Sequence, residues 1–327
     1  MRRPEILTIG TVNLTPPVFF PSVSSVKTAL RPVDYIRLLT ALELVNGQFL
    51  VSAFDLARLT GNEREEAAAM IVRAMKAGCL VLMDSGNYES YWTESQSTWK
   101  QADFHNIIKS FSCTLALGFD EQYPPKEPAA LIRLILQRQQ EDAAAANGVP
   151  IIPIVHGQPT VLPELCAEVA KKLGVSVLSL PERRLGEGVF ERVRTVAAIR
   201  RALNETGTYV GIHILGTGNP FSLALFSIAG ADSFDGLEWC QTVVDHGTGV
   251  LFHLSHSDFF SAQTKWGEED IPVQLRVLAH NLEFYTGWMK RLRSAIHENA
   301  GIEFCRLHFQ ERIYSQCAAA LGWESKP

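Results

Sequence analysis

Short, nearly unbroken apolar runs alternate along the chain with longer stretches whose apolar residues recur at helical spacing. Cys79-Leu80-Val81-Leu82-Met83, Thr114-Leu115-Ala116-Leu117-Gly118-Phe119, Ile151-Ile152-Pro153-Ile154-Val155 and Tyr209-Val210-Gly211-Ile212-His213-Ile214-Leu215 are such runs, the pattern of parallel strands covered on both faces. Phe49 to Phe54, Val175 to Leu180 and the segment leading to Asp235 read the same way. Leu7 to Asn13 and the proline-bracketed Pro16 to Pro21 both qualify as the opening strand. Pro153 lacks a ladder donor and predicts a bulge in its strand.

Between these runs the spacing predicts helices over Arg31 to Leu44 (Tyr35, Leu38, Leu39, Leu42), Glu63 to Ala77, Glu127 to Ala145, Leu162 to Leu173, Gly188 to Leu203 and Phe221 to Ala229. Gly78 and Asn147-Gly148 supply natural stops. About eight βα units over roughly 240 residues predict a (β/α)8 TIM barrel. A doubly wound sheet would carry a glycine-rich phosphate loop after its first strand, and this chain has none. Beyond Gly249 the rhythm changes. Val250 to His253 reads as one more strand, Asp270 to Leu292 as a helix bearing Leu275, Leu278, Leu282 and Tyr285, and Cys305 to Gly322 as a closing helix. The division expected is a catalytic barrel over residues 1–255 and a helical extension over 256–327 packed on it.

Lys and Arg total 30 against 35 Asp and Glu, a formal charge of −5, so no global basic field advertises nucleic acid, though a local basic face remains open. The six cysteines include no CxxC pair, which predicts reduced, mostly buried thiols and no structural zinc. No run of about 18 apolar residues occurs, and the N-terminal apolar run is short for a signal h-region. A soluble, cytoplasmic protein without a membrane partner is expected.

In a parallel barrel the C-terminal strand ends share one face, so the polar residues that follow each apolar run converge there. Asp84, Asp120, Glu121, His156, Gln158 and Asp235 meet that description. The plain alternative for each is a turn or helix cap. Two carboxylates on one rim suit nucleophilic attack by one and proton transfer by the other. Tyr88 beside Asp84 offers a stacking face, and an acid and amide such as Asp120 and Gln158 suit the edge of a heterocycle. Together they point to N-glycosidic chemistry on a purine-like base.

These residues resemble, in order, the tRNA-guanine transglycosylases and their relatives that insert 7-deazaguanines into DNA. Thr15-Pro16-Pro17-Val18-Phe19-Phe20-Pro21 with Ser24-Ser25-Val26-Lys27-Thr28 is similar to the opening strand and turn of that family. Met83-Asp84-Ser85-Gly86-Asn87-Tyr88 is similar to its Asp-Ser-Gly-Gly-aromatic motif, Phe119-Asp120-Glu121 to its base-reading segment, and Ile154-Val155-His156-Gly157-Gln158 to its Gln-Gly loop. His213-Ile214-Leu215-Gly216-Thr217-Gly218-Asn219-Pro220 and Asp232-Ser233-Phe234-Asp235 resemble its two C-terminal signatures. The resemblance implies that Asp235 attacks the anomeric carbon, expels guanine and forms a covalent glycosyl-enzyme, with Asp84 as general acid/base and Tyr88 as stacking platform. It further implies base reading by Ser85, Asp120 and the His156-Gly157-Gln158 loop, with Glu121, Leu215 and Gly216 beside them, and no cofactor. Family members often dimerise, so a homodimer or partner subunit is expected.

The chain departs from that pattern in four places. It lacks the CxCxxC…His zinc site, carries Leu180-Pro181-Glu182-Arg183-Arg184 in place of a Gly-Gly loop, has His156 where the family has Gln, and has Leu237-Glu238-Trp239-Cys240 in place of Pro-Thr-Arg. DNA and tRNA both stay open as the polymer. Hydrolysis of a 7-deazaguanine nucleoside or nucleotide, and an inactive barrel that only binds nucleic acid, are the alternatives. Arg183, Arg184, Lys290, Arg291 and Arg293 are the candidate phosphate contacts.

Overall fold

The computed structural model describes residues 2–28, 30–41, 47–90 and 99–323. Two hairpin strands open the chain, β1 (Leu7–Ile9) and β2 (Val12–Leu14). Eight further strands alternate with helices: β3 (Val18–Pro21), β4 (Gln48–Ser52), β5 (Leu80–Asp84), β6 (Leu115–Leu117), β7 (Ile151–Ile152), β8 (Val177–Pro181), β9 (Gly211–Leu215) and β10 (Ser233–Gly236). The fold is mixed α/β, with two four-stranded sheets ordered β3-β10-β9-β8 and β4-β5-β6-β7. All pairings within them are parallel. Isolated parallel bridges join Ser22 to Leu50 and Ile154 to Ser179, at the borders between the two sheets.

Side-chain alternation sorts the strands into two apolar layers. Val18, Phe20, Leu50, Leu82, Leu115, Leu117, Ile152, Ile154 and Val177 form one buried cluster. Phe19, Phe49, Val51, Val81, Met83, Leu180, Ile214 and Phe234 belong to the other, which the helices cover. Each fully buried side chain of this size contributes about 1.5–3 kcal/mol relative to exposure.

The Leu7 to Asn13 segment is not a strand of either parallel sheet. It pairs antiparallel with Val12–Leu14, and Leu7, Ile9, Val12 and Leu14 all enter the first cluster. Pro16 to Pro21 therefore supplies the first parallel strand. Ala53 and Phe54, read as the end of a strand, open the helix Ala53–Ala57. Where a bulge is expected, Pro153 instead ends β7 after Ile152, and Ile154 keeps only the bridge to Ser179, because a proline cannot donate to the ladder. The helix predicted over Arg31 to Leu44 is described over Pro32–Ala41; Leu42 lies outside the described residues. The helix Gln101–Ser110 buries Phe104, Ile107 and Ile108 and has no counterpart in the sequence reading.

Past β10, strands β11 (Thr242–Val244) and β12 (Leu251–His253) form an antiparallel pair of their own. The expected boundary at 255/256 falls inside the 3₁₀ run Leu254–Phe259. The helix Val273–His297 sends Leu278, Leu282, Tyr285, Trp288 and Leu292 into the same cluster as Phe19 and Phe234. The closing segment is two helices, Gly301–His308 and Glu311–Leu321. Among the described residues no helix is long and apolar enough to cross a membrane.

Candidate active site

Strand parity decides what gathers at the C-terminal strand ends. Val51, Met83, Leu180, Ile214 and Phe234 face the helices, so the next residue on each strand faces the opposite way. Those residues are Ser52, Asp84, Pro181, Leu215 and Asp235, and all five line one cavity of about 350 Å³.

Asp235 is buried, and its carboxylate is oriented from two sides. Oδ2 lies 2.9 Å from His213 Nε2, and Oδ1 accepts from the Gly216 amide at 3.3 Å. His213 is held in turn by Ser233 Oγ, 2.8 Å from Nδ1. Gly216 sits at φ +78°, a left-handed conformation that glycine adopts freely. The Asp235 carbonyl also accepts from the Thr217 amide at 2.5 Å, tying β10 to the loop after β9.

Asp84 ends β5 opposite Ser52 in register. Burial, then the Asp235 charge, push its carboxyl up to about 7, against the opposing pull of the Gly86 amide. That amide donates to Oδ2 at 2.9 Å. Gly86 has φ +76°, and a Cβ there would come within 2.4 Å of the Phe54 Cβ, so the turn that delivers the donor admits no side chain. The two carboxyls differ in kind. Asp235 has donors on both oxygens, while Asp84 is driven toward its protonated form near neutral pH.

A third acid of the cavity figures in the sequence only within a departure from the family pattern. Glu238 lines the cavity. Burial, then the neighbouring Glu182 and Asp235 charges, push it up to about 7, with the Gly218 amide pulling the other way. Glu182 is paired with Arg192 at 2.9 Å.

Asp120 also lines the cavity, and its carboxylate is the hub of a polar rim. His156 Nε2 lies 2.8 Å from Oδ2, Gln122 Nε2 donates at 2.9 Å, and Asn87 Nδ2 donates to the Asp120 carbonyl at 2.7 Å. Gln122 in turn accepts from Arg183 at 2.7 Å, and the Arg183 guanidinium sits 4.5 Å over the Tyr88 ring. Tyr88 is thus at the mouth with a cation on its face, an arrangement worth about 0.5–1 kcal/mol where exposed.

Of the predicted site residues, Asp84, Ser85, Tyr88, Asp120, Leu215, Gly216 and Asp235 are brought together around this cavity, with Arg183 at its lip. Glu121, His156, Gly157 and Gln158 are not among its lining residues. Because the strand breaks at Pro153, His156 turns behind Asp120. Gly157, Gln158 and Arg184 line a separate groove of about 740 Å³, and Glu121 a small cleft beside His156. Lys290, Arg291 and Arg293 are remote from the cavity. Their helix begins near Thr28, beyond the C-terminal end of β3, where Gln274 donates to the Thr28 carbonyl at 3.0 Å. It ends at the other end of that strand, where Arg293 donates to the Pro17 carbonyl at 3.2 Å and His297 lies 2.8 Å from the Pro16 carbonyl. Arg293 is therefore engaged by backbone, not free for a phosphate.

The sequence reading missed His213 and Glu238 as site residues. His213 lies inside an apolar run and looks like strand interior; its shared parity with Asp235 follows only from the register, in which Ser233 pairs with His213. Among the described residues, no group of three or more His, Cys, Asp or Glu side chains is arranged to hold a metal ion. No protein-family model matches this chain, and no curated protein matches it.

Proposed function

We propose that this protein exchanges guanine for a 7-deazaguanine base in a nucleic acid through a covalent glycosyl-enzyme, on a (β/α)8 barrel closed by the Ser22–Leu50 and Ile154–Ser179 bridges. The observation that carries the reading is the unequal pair of carboxyls lining one cavity: Asp235 held by His213 and the Gly216 amide, Asp84 pushed up to about 7. An acid raised toward neutrality can deliver a proton, and a carboxylate held by fixed neighbours is oriented for attack.

An Asp235 oxygen attacks the anomeric carbon from one face. The bond to the glycosidic nitrogen breaks, its electron pair leaves with the base, and Asp84 delivers its proton to the departing ring. Asp84 is now ionised and removes the ring N–H proton of the incoming 7-deazaguanine, whose nitrogen attacks the anomeric carbon. The bond to Asp235 breaks, its electrons return to the carboxylate, and Asp84 is again protonated. Tyr88 stacks on the base, Asp120 and Ser85 accept from its edge, and Arg183 marks the side from which a phosphate approaches.

A hydrolase that lets water resolve the same intermediate is the second reading. The acid excess on the cavity wall favours it, since Asp84, Asp120, Asp235, Glu182 and Glu238 stand against Arg183 and Arg192, and such a wall repels a phosphate brought close.

Incorporation of labelled guanine into guanine-containing tRNA, duplex DNA and single-stranded DNA distinguishes these readings. The proposal expects Asp84-dependent incorporation into one polymer. Release of free base from a nucleoside, with incorporation into none, would replace exchange by hydrolysis. Neither reaction with any of them would end both readings.

A further inference from the structure

The carboxyl of Glu238 is wedged against the segment that carries Asp235. A Cβ added at Gly236 would lie 2.9 Å from Glu238 Oε2, and one at Gly218 would lie 2.6 Å from the same atom. Both glycines thus leave the room that the carboxyl occupies. The short helix it opens, Glu238–Gln241, is anchored on the far side. Trp239 is fully buried and donates from Nε1 to the Ser22 carbonyl at 2.7 Å, and Asn281 donates to the Thr242 carbonyl at 2.7 Å and accepts from the Val244 amide at 3.0 Å. Tyr285 donates to the Gly218 carbonyl at 2.5 Å, fixing the facing loop. Supports of this kind hold a functional group in a single orientation. Among the described residues no Lys, Arg or His forms an ion pair with Glu238, whereas its neighbour Glu182 has Arg192 at 2.9 Å.

We propose that Glu238 reads the sugar, accepting a hydrogen bond from a ribose 2′-hydroxyl, and so selects ribose over deoxyribose. This rests on the reading of Asp235 as nucleophile. The groups assigned to the base, Asp84, Tyr88 and Asp120, lie at and after the ends of β5 and β6, whereas Asp235 belongs to β10 and Glu238 opens the short helix Glu238–Gln241 that follows it. With the base on the β5–β6 side and the anomeric carbon at Asp235, the sugar lies along the wall that carries Glu238, and of the two ring atoms next to the anomeric centre only the 2′ carbon bears a hydrogen-bond donor. Its hydroxyl is the one donor that a ribonucleotide brings there and a deoxyribonucleotide lacks. A site built to bond a hydroxyl rejects the analogue without it, because its own acceptor is then left short of a donor while shielded from water. The same bond strengthens as positive charge develops at the anomeric carbon, as 2-hydroxyl contacts do in glycoside chemistry.

The test uses RNA and DNA oligonucleotides of one guanine-containing sequence, with guanosine and 2′-deoxyguanosine as a second pair, on the full chain. Rates of Asp235-dependent adduct formation are compared for wild type, Glu238→Gln and Glu238→Ala. The wild type is expected to prefer the ribose member of each pair by at least about tenfold. Glu238→Ala is expected to bring that ratio toward one, and Glu238→Gln, whose amide oxygen still accepts, to fall between. A variant that merely loosened this helix would slow both sugars together and leave the ratio in place. Equal wild-type rates for the two sugars, or a ratio unchanged in Glu238→Ala, would overturn the role of Glu238 while leaving the glycosyl-enzyme intact. No Asp235-dependent adduct with any substrate would overturn the glycosyl-enzyme reading itself, and this role with it.

Discussion

Asp232 immediately precedes β10 and Asp235 lies near its C-terminal end, and their surroundings differ completely. Asp232 is buried and saturated: Arg3 at 2.8 Å, Arg200 at 2.7 Å, the Tyr209 hydroxyl at 2.6 Å and the Ile212 amide at 2.9 Å. Asp235 has one imidazole and one amide, and opens into a cavity that also holds Asp84 and Glu238. The same contrast extends to the strands around them. At the N-terminal ends, the β1–β2 hairpin inserts its apolar side chains and Arg293 and His297 take up the Pro17 and Pro16 carbonyls. At the C-terminal ends, acids crowd together with few cations among them. Polar groups that satisfy one another hold a fold together, and groups left with unmet electrostatic demand are available for chemistry.

The largest effects should separate the two aspartates. Asp235→Asn is expected to lower the exchange rate at least about a thousandfold, because the amide is no nucleophile, while the chain stays folded. Asp232→Ala is expected to cost about 3–5 kcal/mol of stability, since Arg200 and Arg3 lose their counter-charge in a buried site; denaturant midpoints check this. An Asp235→Asn variant at wild-type rate, or an Asp232→Ala variant at wild-type stability, would erase the distinction.

Asp84 sharpens the comparison through pH. Its carboxyl is raised to about 7, first by burial and then by Asp235. The folded state therefore holds that proton more tightly than the unfolded chain, and the group's stabilising contribution is lost as pH rises from about 4 through about 7. Asp84→Asn should stabilise the protein by about 2–4 kcal/mol at pH 8 and by little at pH 4, while exchange falls. Glu238, also pushed up to about 7, keeps part of the pH slope in that variant. A variant no more stable than wild type at pH 8 would count against the crowding of charge inferred for this wall. The smallest effect concerns the opposite end: Arg293→Ala is expected to cost about 1–2 kcal/mol and to leave the proposed exchange by the folded protein unchanged.

Much of this arrangement was legible in the chain. Asp84 and Asp235 follow apolar runs directly, so the period of two that buries Met83 and Phe234 also aims both carboxyls to one side. His156 and Gln158 follow an apolar run too, yet Pro153 cuts the strand short, and the extra residues carry them behind Asp120 and into the neighbouring groove. His213 was hidden because a histidine inside an apolar run reads as core until the register with β10 is known. Leu7 to Asn13 looked like one strand because a tight turn at Gly10, φ +59°, leaves no gap in the apolar pattern. The Gln101–Ser110 helix carried a readable signal in the spacing of Phe104, Ile107, Ile108 and Phe111. Lys290 and Arg291 are exposed, but nothing in a basic cluster says at which end of a strand its helix turn will lie.

The central claim is that Asp235 bonds to the sugar, and intact-mass analysis of the protein quenched during turnover with a guanine-containing substrate tests it most directly. The expected result is a mass increase equal to the substrate less guanine, mapped by peptide sequencing to Asp235 and absent from Asp235→Ala. Base loss with no added mass in the wild type, retained in Asp235→Ala, would contradict it.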